Sequence, residues 1–124
     1  MMIWMVAAAL STALQTGLNR PEDVHFTAAQ GALDEQLLDY PAARFRDVRG
    51  EGPVICGFVN AKNRMGAYTG WARFVWFKMG AEPARLMIDD GKDGSRADIV
   101  LDGFCGDDGH RIESPDYSDR LTHR

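Results

Sequence analysis

The sequence predicts an α+β domain, with one N-terminal helix packed on an antiparallel sheet of four to five strands. Two runs rich in β-branched and aromatic residues, Val54–Asn60 and Trp71–Lys78, are joined by a polar connection that Gly66 and Gly70 punctuate. Ahead of them, Ala29, Leu33, Leu37 and Tyr40, with Ala32 and Gln36, recur at helical spacing, and Asp34, Glu35 and Asp39 lie mostly off that stripe. At 124 residues the chain has room for one domain, and 45% hydrophobic against 26% charged residues is a globular balance rather than that of a disordered chain.

Met1 to Leu10 is apolar throughout and is followed by Ser11, Thr12 and Ala13. A short apolar core followed by small residues has the form of a secretory signal peptide, with cleavage expected after Ser11 or Ala13, although no Lys or Arg precedes Arg20. The run is shorter than the roughly 20 apolar residues of a spanning helix, and no cysteine stands near it to carry a lipid. Residues 1–18 are therefore expected to be signal peptide and linker, 19–105 the domain, and 106–124 a mobile acidic tail. The mature chain is expected to be periplasmic or secreted and to lack a transmembrane segment. A hydrophobic helix packed on the domain is the alternative for this terminus.

Asn19-Arg20-Pro21-Glu22-Asp23 offers a helix start, with a capping side chain, an early proline and two acids at the positive end of the helix dipole. Thr27 with Gln30 is a second possible start. Pro41 disfavours helical geometry at Tyr40 and should end the helix there. Ala42–Arg49 reads as an irregular first strand, with Phe45 as core anchor on one face and Arg44, Arg46 and Val48 on the other. Gly50 to Pro53 turns the chain into Val54–Asn60, where Val54, Cys56 and Phe58 face one way and Ile55, Gly57 and Val59 the other. Gly57 implies the close approach of a neighbouring element. In the next strand Ala72, Phe74 and Trp76 alternate with Trp71, Arg73, Val75 and Phe77. Ala84–Ile88 reads as a fourth strand and Ala97–Phe104 as a short last one.

Leu38-Asp39-Tyr40-Pro41-Ala42-Ala43-Arg44-Phe45-Arg46-Asp47-Val48, followed by Cys56-Gly57-Phe58-Val59-Asn60-Ala61-Lys62-Asn63 and Gly66-Ala67-Tyr68-Thr69-Gly70, resembles a family of small exported bacterial proteins. Its members carry a Pro-x-(Ser/Ala)-Ala-x-Phe-Arg segment and a Cys-Gly-x-Val-Asn-Ala-Lys-Asn-x-x-Gly-x-Tyr-x-Gly segment. The likeness spans about residues 38–77. It implies export and fold but no chemistry, because the family has no assigned activity. Tyr40 stands where an acid is common in the family, and the Asp- and Gly-rich C-terminal part departs from its pattern.

Within this stretch Asn60, Lys62, Asn63, Tyr68 and Trp71 form the candidate ligand-binding set, able to present donors to a small anionic or polar group. The competing reading is structural, since Asn and Gly adopt left-handed turns and Asn side chains bond to nearby backbone. Cys56 and Cys105 are expected to form a disulfide, as two cysteines in an exported protein usually do. A catalytic Cys105 would need a base, and His110 is near it only in sequence. Cys56, Cys105, His110 and His123 lack zinc spacing. The run from Asp89 to Gly94 has calcium-like composition, but a calcium loop starting at Asp89 would have Val100 where the bidentate acid belongs, so it reads as a hairpin turn. No phosphate loop, dinucleotide fingerprint or nucleophile elbow occurs.

The expected function is therefore non-enzymatic, without metal or cofactor. It is the binding of an envelope protein or a small ligand through the 60–71 loop, with no nucleic acid expected. The runner-up starts from charge: residues 42–78 hold seven Lys/Arg and two acids, whereas 79–124 hold eleven acids and six bases. It is a cytoplasmic nucleic-acid-binding module using Arg44, Arg46, Lys62, Arg64 and Arg73 with Tyr68 and Trp71, and it requires free thiols.

Overall fold

A computed structural model describes residues 20–89, 97–107 and 111–122. The signal-peptide expectation for residues 1–18, the 90–94 turn, His110 and His123 lie outside the described residues. Helix α1 (Asp23–Gln36) precedes four strands, β1 (Arg44–Glu51), β2 (Val54–Lys62), β3 (Tyr68–Phe77) and β4 (Arg85–Asp89), and helices α2 (Ala97–Cys105) and α3 (Ser118–Leu121) follow. The strands form one antiparallel sheet in chain order. This is the mixed helix-and-sheet architecture expected.

Helix α1 is capped by Glu22, whose N–H donates to His25 Nδ1 at 3.1 Å. It ends at Gln36, where Leu37 turns extended and donates its N–H to Leu33 O at 2.8 Å. The expected continuation to Tyr40 is replaced by a 3-10 turn, Tyr40–Ala42, which uses Pro41 without needing its missing N–H. Phe26, Ala29 and Leu33 bury the inner face of α1 against Val48, Ile55, Val59, Phe74 and Trp76.

A bulge in β1 overturns the expected alternation there. Pairing to β2 shifts between Arg46 and Arg49, and Asp47 takes a φ of 50°. The extra residue turns Val48 to the same side as Phe45, so both join the first core. The close approach expected at Gly57 comes from these strands. A Cβ there would meet Phe74 Cε1 and Val48 Cγ2, each at 2.9 Å.

The last expected strand is a helix. Ala97, Leu101 and Cys105, four residues apart, pack on the opposite face of the sheet with Cys56, Val75 and Ile112 to make a second core. The Cys56–Cys105 disulfide pins the C-terminal end of α2 to β2. Arg73 bridges the same two layers, donating from Nη1 to Asp102 Oδ1 at 2.8 Å and from Nη2 to Asp89 Oδ2 at 3.3 Å. The Asp102 hydrogen bond raises the Arg73 pKa further above its usual range; burial opposes this, and Asp89 adds to it.

Residues 111–122 of the expected tail also belong to the fold. Gly50 N–H donates to Ser114 Oγ at 3.1 Å, Val48 N–H to Asp116 Oδ1 at 3.2 Å, and Tyr117 N–H to Val48 O at 2.7 Å. These bonds occupy the outer edge of the bulged part of β1, which an edge strand otherwise leaves open. The segment then delivers Leu121, which is fully buried, into the first core, where Tyr40 donates its hydroxyl proton to Leu121 O. Its polar composition is explained by backbone bonding rather than by solvation. No helix among the described residues is long and apolar enough to cross a membrane.

Candidate functional site

The β2–β3 connection is built by its asparagines. Asn63 Oδ1 accepts from the N–H groups of Met65 at 2.9 Å and Ala67 at 3.1 Å, an arrangement in which the side chain stands in for backbone. Asn63 N–H in turn donates to Ala67 O at 2.9 Å. Asn60 Oδ1 accepts from Gly70 N–H at 3.0 Å, and Gly70 holds a φ of 101° that no other residue type adopts easily. The acceptor oxygens of both asparagines are thus committed to the hairpin.

Tyr68 is braced rather than presented. Its hydroxyl donates to Ala42 O at 2.9 Å, and its ring lies 4.2 Å from the Arg44 guanidinium carbon and 5.4 Å from Lys62 Nζ. Arg46 similarly covers the ring of Trp71 at 4.4 Å and that of Phe58 at 5.3 Å. Arg73, the fifth cation of the charge-based reading, is neutralised by Asp89 and Asp102. That reading also required free thiols, and both cysteines are paired. The pairing leaves Cys105 without a thiol to act as a nucleophile.

Lys62 and Trp71 instead border a groove of about 940 Å³. It lies where, among the described residues, β4 pairs with Arg73–Phe77 and no strand pairs with the outer edge of Tyr68–Ala72. The end of α1, the hairpin and β4 wall the groove. Leu37, Val59, Ala72, Leu86 and Ile88 contribute apolar surface to it, and Asn63 and Arg64 lie on its hairpin side. Three of the large hydrophobic side chains most exposed in the described structure border this one groove: Leu38 at 63%, Met65 at 91% and Trp71 at 40%.

Leu38, Arg64 and Met65 were not in the sequence-derived binding set. Their signal was present: Leu38 and Met65 are large apolar residues stranded in polar, turn-forming stretches, where no core is available to explain them. No protein-family model, curated protein or solved structure matches this chain.

Proposed function

We propose that the protein is an exported, non-enzymatic binding domain of the bacterial envelope, which takes a small ligand or a segment of a partner in the groove beside the β2–β3 hairpin. The observation that carries the reading is the convergence of Leu38, Met65 and Trp71 on a single concave surface. Exposed apolar side chains scattered singly mean little, but a contiguous set around a groove of this size has the character of a binding site. The disulfide is compatible with an oxidising compartment. The likeness of the Cys56–Gly70 motif to small exported bacterial proteins supports the location.

The reading is tested by screening a fragment collection against the isotopically labelled, disulfide-bonded chain by NMR. Hits should move amides of residues 36–38, 61–72 and 86–89, and Trp71→Ala with Met65→Ser should abolish them while leaving the remaining spectrum in place. Hits that cluster elsewhere, or none at all, would refute it.

A further inference from the structure

We infer that the ligand of this groove is an anionic amphiphile, a single molecule with an alkyl body and a carboxylate or phosphate head. The inference rests on the groove reading above and names its ligand class. The body is assigned by the lining, which brings Leu37, Leu38, Met65, Trp71, Leu86 and Ile88 to one surface. Methionine and leucine side chains on a groove wall adapt to a flexible chain without fixed hydrogen-bond geometry.

The head is assigned by charge. Lys62 and Arg64 border the groove at the hairpin, and neither makes an ion pair among the described residues. Among the described residues the one carboxylate lining the groove, Asp89, is already held by Arg73 at 3.3 Å. The described lining therefore joins apolar side chains to two cations on the hairpin side that no described carboxylate pairs with, the complement of an amphiphile with a negative head.

The same surface is a poor template for an added peptide strand. The edge of β3 that no described strand pairs with is broken by Gly70 at a φ of 101°, and the strand's pairing to β2 shifts between Asn60 and Lys62. A ladder of backbone bonds cannot run regularly along it. A ligand that needs apolar contact and one charged anchor meets no such obstacle.

Titration calorimetry of the full disulfide-bonded chain with decanoate, decan-1-ol and acetate tests this. Decanoate should bind about tenfold more tightly than decan-1-ol, the margin expected from one charge-assisted anchor, and acetate should not bind. Lys62→Gln with Arg64→Gln should erase the difference by weakening decanoate alone, and Leu38→Ser with Met65→Ser should weaken both decyl compounds. Equal affinity for the acid and the alcohol would overturn the anionic assignment while leaving the groove reading intact. Binding of neither would remove both. Binding to vesicles of an anionic phospholipid, with no binding of decanoate, would overturn the inference in favour of a membrane surface.

Discussion

Replacing both Cys56 and Cys105 by alanine should cost about 4 kcal/mol of stability. The bond closes a loop with a sequence separation of 49, and the chain-entropy relation for a loop of that length gives about 4 kcal/mol at room temperature. Most of that acts on the unfolded chain, which gains freedom when the bond is gone. A native-state contribution adds to it, because Cys56 and Cys105 are both buried and the bond ties α2 to the sheet beside the second core, Arg73 and Arg111. Against the typical total of roughly 5–15 kcal/mol for a domain, the loss leaves a marginal fold. Urea unfolding of the oxidised wild type and the double variant, followed by near-ultraviolet circular dichroism, measures it. The midpoint should fall sharply, and the slope should rise because the uncrosslinked unfolded chain exposes more surface. A loss below about 1 kcal/mol with an unchanged slope would refute the reasoning, since it would mean that the bond constrains neither state.

Two further outcomes follow from the C-terminal segment. Leu121→Ala removes a fully buried side chain from the first core and should destabilise by roughly 2–5 kcal/mol in urea unfolding; a change near zero would return the segment to the status of a tail. Burial works to raise the Asp116 pKa, but the Ser118 hydroxyl and N–H, the Val48 N–H and the Arg49 charge together hold it below the ordinary carboxylate value. A folded-state pKa below the unfolded one contributes stability that is complete above the unfolded value and is lost as pH falls through the folded one. The stability gap between wild type and Asp116→Asn should therefore be full at neutral pH and close below about pH 4; a gap independent of pH would refute the role.

The central strands were legible because local and tertiary signals agree there. The expected runs Val54–Asn60 and Trp71–Lys78 carry β-branched and aromatic residues on both faces, and both faces acquire a cover, α1 on one and α2 on the other; the strands found, Val54–Lys62 and Tyr68–Phe77, extend into the expected connection. Ala97–Phe104 was misread because a short apolar run satisfies two periods at once. Ala97, Ile99 and Leu101 alternate as a strand would, while Ala97, Leu101 and Cys105 repeat as a helix does, and only the packing on Val75 and Cys56 decides between them. The β1 bulge left no mark either, since Asp47 is an ordinary strand-face residue until Val48 must reach the core. The role of residues 111–122 was hidden for a related reason. Ser114 and Asp116 act on backbone groups more than sixty residues away, and composition carries no trace of such a partner.

The candidate site divides along the same line. A polar loop looks ligand-like because its donors and acceptors are written in the sequence, yet a tight turn consumes polar groups in forming. Asn60 and Asn63 show this directly, their carboxamide oxygens bonded to Gly70, Met65 and Ala67. What the hairpin leaves for a ligand is the set of side chains its own construction does not use: Lys62 and Arg64, whose charges the loop does not neutralise, and Met65 and Trp71, which lie far from full burial. Leu38 joins them where α1 stops at Gln36 rather than running to Tyr40, and the chain after the helix borders the groove. The early end of α1 and the hairpin thus meet at the groove, and neither that end nor the groove is visible in the motif that first drew attention to this stretch.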